Sequence, residues 1–167
     1  TMPDYAYMYA LPYELYEKDG IRKYGFHGTS HRYVSGRCIE LLGGKAEGTK
    51  IVTCHLGNGS SISAVKDGKC FDTTMGLTPL EGIIMGTRCG SIDPAIIPVI
   101  MKSHNLTPDE VDHLMNKKSG MLGLAGTSDN RTIEQMSNNG DTKAQLVENM
   151  LCHQLTKYIG GFAAAMG

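Results

Sequence analysis

The segment from Lys50 to Thr73 most constrains the fold. Lys50–Leu56 (KIVTCHL) is a short run rich in β-branched and apolar residues, which reads as a buried strand. Gly57-Asn58-Gly59 turns it, and Ser61–Lys66 returns with alternating polarity. Asp67-Gly68 marks a second tight turn, and Lys69–Thr73 supplies a third strand. A three-strand meander with a glycine-rich first turn is therefore predicted.

Helical signals surround it. Residues 1–26 mix tyrosine, proline and charge, with a turn at Lys18-Asp19-Gly20. A helix is predicted over Ser30–Leu42, capped by Thr29 or Ser30 and closed by Gly43-Gly44, with Tyr33, Val34, Leu41 and Leu42 on one face. Asp93-Pro94 starts another, which Pro98 is expected to kink or shorten. Thr107-Pro108-Asp109-Glu110 has the spacing of a capping box, opening a helix that stops near Gly120. Asp141 opens the longest helix, with Ala144, Val147, Leu151, Leu155, Tyr158 and Phe162 down one face.

Composition narrows the function classes. The 167 residues suit one compact domain, and a net charge of −1 offers no basic field for nucleic acid or an anionic membrane. No apolar run has the length of a membrane span, and Thr1-Met2-Pro3-Asp4 does not read as a signal peptide. The five cysteines form no CxxC pair, which predicts reduced thiols in a cytoplasmic setting and neither a disulfide frame nor a zinc site.

Three constellations carry chemistry. Phe26-His27-Gly28-Thr29-Ser30-His31 stands just before a helix, where free N–H groups and the dipole favour an anion and a histidine can donate to a phosphoryl oxygen. The plainer reading is a capped helix with His27 packed in a loop. His27 and His31 are four apart, but the missing glutamate makes a metal site a poor reading. His55-Leu56-Gly57-Asn58-Gly59-Ser60-Ser61 lacks the Gly-Lys-Ser/Thr ending of a Walker A loop, yet its glycines let backbone N–H groups face phosphate oxygens. An ordinary Asn-Gly hairpin is the alternative. Arg88, in Met85-Gly86-Thr87-Arg88-Cys89-Gly90, can grip a carboxylate or phosphate with two N–H groups, or simply pair with Asp72, Glu81 or Asp93. Together the three describe a phosphoryl group handled in a glycine-rich cleft.

Their order and spelling resemble the acetokinase family, within the superfamily of acetate and sugar kinases, actin and heat-shock chaperones. The stretches that carry the resemblance are LPYELY (Leu11–Tyr16), YGFHGTSH (Tyr24–His31), HLGNGSSIS (His55–Ser63), DTTMGLTPLEGIIMGTR (Asp72–Arg88) and IDPA (Ile92–Ala95). It implies an α/β fold, ribonuclease H-like (the actin-like ATPase class), a three-layer α/β/α domain that is truncated here. Residues 1–167 are expected to form part of the family's second domain, with the hairpin Lys50–Lys66 lining the nucleotide cleft. The family's N-terminal domain, a catalytic Asp expected just before Thr1, an Mg-associated Glu and a C-terminal adenosine loop are expected outside it.

By the same resemblance, His27 and Arg88 stabilise the transferring phosphoryl group. His55, Leu56, Gly57, Asn58 and Gly59 contact the nucleotide phosphates, and Asp129, Asn130 and Arg131 align with a segment near the adenosine. An aromatic residue is usual where Asn130 stands. The implied reaction is reversible transfer between ATP and acetate, giving acetyl phosphate and ADP with Mg2+, in a cytoplasmic homodimer. The 167 residues alone are expected to be inactive. Alternatives are a propionate or butyrate kinase of the family, or a catalytically silent nucleotide-binding module.

Overall fold

A computed structural model describes residues 2–167; Thr1, which begins the segment read as no signal peptide, lies outside the described residues. The chain divides into two compact units. One holds the residues up to Leu56, Ser61–Glu81 and Leu155–Gly167; the other holds Gly57–Ser60 and Gly82–Gln154. Length alone predicts one body, but each unit gathers its own set of buried apolar side chains.

In the first unit, α1 (Asp4–Tyr7) and α2 (Tyr13–Asp19) precede α3 (Gly28–Leu41). Gly20 closes α2 in the left-handed region, which is the predicted turn. Three strands follow, β1 (Lys50–Leu56), β2 (Ser60–Lys66) and β3 (Lys69–Thr73), in the order β1-β2-β3 of the predicted meander. β2 and β3 pair antiparallel from Lys66 opposite Lys69 to Ser63 opposite Thr73, with an irregularity between Ala64 and Val65.

Burial corrects the strand reading. β1 is only partly buried, whereas Ser60–Val65 of β2 are all buried, serines included. The alternating polarity of β2 is therefore no solvent face: Ser61 is fully buried and Ser63 nearly so. Their hydroxyls are matched, Ser63 Oγ donating to Thr73 Oγ1 at 2.8 Å, as buried polar groups require.

α3 also departs from expectation. Tyr33, Val34, Leu41 and Leu42 are exposed, while His31 and Ser35 are its buried residues. The N-cap is neither Thr29 nor Ser30 but His27, at φ 59° and with no side-chain cap. The sequence rule assumes an extended cap whose own oxygen takes the first N–H groups; here the histidine side chain is used elsewhere.

In the second unit, α4 (Ile96–His104), α5 (Pro108–Lys117), α6 (Gly120–Ala125) and α7 (Asn130–Asn138) follow the Gly82–Gly90 segment. Asp93 Oδ1 accepts from Ala95 N at 2.9 Å, capping a turn that leads into α4. Pro98 is the third residue of α4 and does not break it, because the first N–H groups of a helix have no partner to lose. The capping box at α5 forms as predicted, Thr107 Oγ1 accepting from Glu110 N and the Glu110 carboxylate accepting from Thr107 N. α8 (Thr142–Met166) runs 25 residues, opened by Asp141 Oδ1 accepting from Lys143 N and Ala144 N at 2.9 Å each. Its Ala144 and Val147 join Ile84, Met121 and Ile133 in the core of this unit. Its far end lies in the first unit, where Phe162 and Met166 are buried and Lys66 Nζ donates to the Met166 carbonyl.

Candidate functional site

The first unit collects three histidines from two distant motifs. His27 caps α3, His31 lies one turn along it, and His55 comes from β1, against which α3 packs. The rings of His27 and His55 stack, centroids 3.9 Å apart and planes 17° from parallel. Ser61 Oγ stands between two rings, 2.8 Å from His27 Nδ1 and 2.7 Å from His31 Nε2. His31 Nδ1 lies 2.8 Å from Thr53 Oγ1, and His55 Nδ1 lies 2.9 Å from Ser30 Oγ.

Local backbone choices hold this arrangement. Gly25, at φ +75°, brings the chain so close to β3 that an added Cβ would stand 2.6 Å from Thr73 Cγ2. Gly25 N and Tyr24 N both donate to the Gly76 carbonyl, fixing the approach to His27. His27 is one of three non-glycine residues with positive φ among the described residues, a conformation that stores strain and concentrates at functional positions. Burial pushes the His31 pKa down to about 4, with the neighbouring rings of His27 and His55 adding to the effect. His31 is thus neutral near pH 7. A cavity of about 610 Å³ has Phe26 and His31 in its walls, so the network borders open space.

The second unit positions Arg88 by its neighbours. Thr87 Oγ1 donates to Asn116 O at 2.9 Å and Cys89 N to Met115 O at 3.0 Å, tying the flanks of Arg88 to α5. The carbonyls of Met85, Gly86 and Thr87 accept from Met121 N, Leu122 N and Ser119 N at the start of α6. Gly120, at φ +63°, makes this possible: a Cβ there would lie 2.2 Å from Met85 O and 2.6 Å from Arg88 O. Arg88 Nη1 donates to Met85 Sδ at 3.9 Å, and the three acids near it in sequence make contacts as well. Asp72 pairs with Lys23 at 3.0 Å, Glu81 accepts from Tyr9 Oη at 2.5 Å, and Asp93 caps its turn.

The same unit brings together two more of the sequence motifs. Gly86 N donates to Asn58 O at 3.2 Å, and a Cβ on Gly86 would meet Asn58 Oδ1 at 3.2 Å and Ser128 Cβ at 3.3 Å. Asn58 of the glycine-rich turn and Ser128 therefore both pack closely on Gly86 of the Arg88 segment. Neither Gly57, Asn58 nor Gly59 has positive φ, so the turn is not the Asn-Gly hairpin of the alternative reading, which needs left-handed central residues. Ser60 Oγ braces it by donating to Gly57 O at 2.9 Å.

Two assigned nucleotide contacts have structural work of their own. The His55 ring is held by His27 and Ser30. Asp129 caps α7, its Oδ1 accepting from Arg131 N at 3.0 Å, with Arg131 Nε 3.7 Å away at the surface. Leu56 is half-exposed at the end of β1, and Asn130 begins α7 exposed. Among the described residues, no group of three or more His, Cys, Asp or Glu is placed to hold a metal ion. No helix of the described residues is long and apolar enough to cross a membrane. Sequence reasoning took Ser61 as a donor of the glycine-rich loop and Ser30 as a helix cap, and missed Thr53. The available signal was polar residues set in strands otherwise apolar, next to a histidine-rich helix start.

Known proteins are similar to this chain along its whole length. The acetate kinase of Phocaeicola vulgatus is 60% identical over 100% of this chain and 42% of its own length. That of Methanosarcina thermophila is 59% identical over 99% of this chain and 41% of its own. Among solved structures, Porphyromonas gingivalis acetate kinase superposes with a TM-score of 0.96 at 49% identity, over 100% of this chain and 42% of that one. A propionate kinase from Francisella tularensis gives 0.95 at 44% identity, over 99% and 42%. The chain thus spans about two-fifths of the length of the curated relatives it matches. Its fold is that of these kinases, mixed α/β with a small sheet, as expected of a truncated actin-like ATPase domain. The acetokinase family model covers residues 1–167, and the chain belongs to that family.

Proposed function

We propose that the protein carrying this chain is an acetate kinase, transferring a phosphoryl group reversibly between ATP and acetate to give ADP and acetyl phosphate. The observation that carries the reading is identity of about 60% to acetate kinases along the full chain. Phosphoryl transfer passes through a loose, in-line state with charge on the equatorial oxygens, so the protein's task is to position and to stabilise charge. In this reading His27 and Arg88 donate to that charge. Residues 55–59 and Asp129, Asn130 and Arg131 contribute to the nucleotide site. The close packing of Asn58 and Ser128 on Gly86, which leaves no room for a Cβ, supports placing the glycine-rich turn and the start of the Ser128–Arg131 stretch beside the Arg88 segment. Mg2+, when bound, supplies charge on the nucleotide phosphates, where the ion keeps several waters.

The remaining assignments belong to the same proposal. Residues 1–167 form part of the family's second domain, and the intact enzyme is a cytoplasmic homodimer. The five cysteines, all free of disulfides, agree with a reducing compartment. Alone, the chain is a nucleotide-binding module without turnover, since cleft chemistry needs groups from both walls. A propionate kinase is the second reading, favoured by the match to the Francisella tularensis enzyme.

The test is a chimera with this chain in place of the matching segment of Phocaeicola vulgatus acetate kinase, assayed on acetate, propionate and butyrate. Acetate as the fastest acceptor supports the proposal. Faster propionate turnover moves the assignment to the second reading, and a folded chimera inactive on all three defeats both.

A further inference from the structure

One phenol fastens the loop that follows β3. Tyr9 lies between α1 and α2, and its Oη meets two groups of that loop at once. Leu77 N donates to it at 3.0 Å, and it donates to Glu81 Oε2 at 2.5 Å. A backbone N–H can only donate, so it takes a lone pair of the phenol oxygen and leaves the phenol proton for the carboxylate. The shorter distance is that of an O–H bonded to a carboxylate. Burial and the bond to Glu81 both push the Tyr9 pKa up, so the hydroxyl keeps its proton.

The bond from Leu77 N reaches further than the loop. That N–H and the Gly76 carbonyl belong to one planar peptide group, so holding one side orients the other. On the other side, the Gly76 carbonyl accepts from Tyr24 N at 3.0 Å and Gly25 N at 3.2 Å. Those two residues lead directly to His27. Lys23 N also donates to Tyr7 O at 2.8 Å, which ties the same stretch to the chain just before Tyr9.

Gly76 carries a second, independent sign of this arrangement. It is buried, and an added Cβ would stand 1.8 Å from Glu81 Oε2 and 2.2 Å from Tyr9 Oη. Both obstacles are side-chain ends. A methyl group at this position is therefore accommodated by pushing the two oxygens aside, and glycine is the residue that lets them meet.

We propose that Tyr9 and Glu81 form a clasp on the Gly76–Leu77 peptide, and that Tyr9 is thereby a positioning residue for the Tyr24–His27 segment. The value of that segment to catalysis rests on the phosphoryl-transfer reading above; the clasp does not.

Two measurements separate these claims. Amide hydrogen exchange of the 167-residue chain, without ligand, reads the clasp at Leu77, a residue 42% exposed. The expected result is exchange slowed roughly tenfold or more by the bond to Tyr9, with that protection lost in Tyr9→Phe. Exchange of Leu77 at the open-chain rate in the wild-type chain overturns the clasp, whether or not any variant folds. In the chimera, Tyr9→Phe is expected to lower kcat roughly 5- to 30-fold with KM for ATP unchanged. Glu81→Ala and Gly76→Ala are expected to match it, and Glu81→Gln, whose amide oxygen still accepts from Tyr9, to recover most of the loss. Joining Tyr9→Phe to Glu81→Ala adds little, because each removes the same bond. Unchanged kcat in Tyr9→Phe, whether Tm falls or KM for ATP rises, overturns the positioning role. An inactive wild-type chimera with Leu77 protected removes the kinase reading and the positioning role with it, and leaves the clasp standing.

Discussion

Gly120→Ala tests how the Arg88 segment is held. Gly120 is at φ +63°, and a new Cβ would meet Met85 O at 2.2 Å, Arg88 O at 2.6 Å and Arg88 N at 3.0 Å. Adopting the left-handed conformation costs an L-residue roughly 1–2 kcal/mol. All three obstacles are backbone atoms, so the clash is relieved only by moving the Met85–Arg88 turn or the start of α6. That motion strains the bonds from Met121 N to Met85 O and from Leu122 N to Gly86 O, both 2.9 Å. Losing one or two of them adds about 1 kcal/mol each. The expected total is about 2–4 kcal/mol, which at a slope of about 2 kcal/mol per molar lowers the urea midpoint by about 1–2 M. Gly160→Ala is the matched control. Gly160 lies exposed within α8 with nothing within 4 Å of an added Cβ, so the same change there stabilises by up to about 1 kcal/mol. A Gly120→Ala midpoint within error of wild type refutes the account of how Arg88 is placed.

Other outcomes follow from the same geometry. Thr107→Ala removes the reciprocal bonds with Glu110 and lowers stability by about 1 kcal/mol, whereas Thr107→Ser retains most of it; equal urea midpoints for the two variants contradict the capping role. His31 holds its pKa near 4 in the fold against an ordinary 6.5, so the unfolded chain binds more protons between those values. Stability is therefore lost as pH falls from 6.5 towards 4, by an amount on the order of 1–3 kcal/mol. His31→Gln removes that part of the slope, and parallel stability curves for wild type and variant across this window exclude His31 as its source.

The sequence revealed the parts of this molecule that rest on local chemistry. The meander was legible because its turns carry Gly57-Asn58-Gly59 and Asp67-Gly68, and the cap rules located α5 at Thr107 and α8 at Asp141. Local rules failed where distant residues supplied the partner. Ser61 reads as a donor of the glycine-rich loop, yet its hydroxyl is buried between two histidines 30 and 34 positions away. Thr29 and Ser30 read as caps, but Ser30 instead holds His55, 25 positions on. His27 as a left-handed cap has no signal in its own spelling, since it is imposed by the packing of Gly25 on Thr73 and the bond to Ser61. The motifs named the histidines; only the fold shows that they form one network.

The central claim is that this chain brings phosphoryl-transfer donors to an acetokinase, and one assay bears on it most directly. The chimera is incubated with ATP, Mg2+ and acetate, acetyl phosphate is trapped as the hydroxamate, and Arg88→Ala and His27→Ala are run beside it. Synthesis by the parent chimera, with turnover lowered roughly 10²–10³-fold by loss of either donor, is the predicted result. Undiminished turnover in both variants would remove His27 and Arg88 from the reaction and contradict the account.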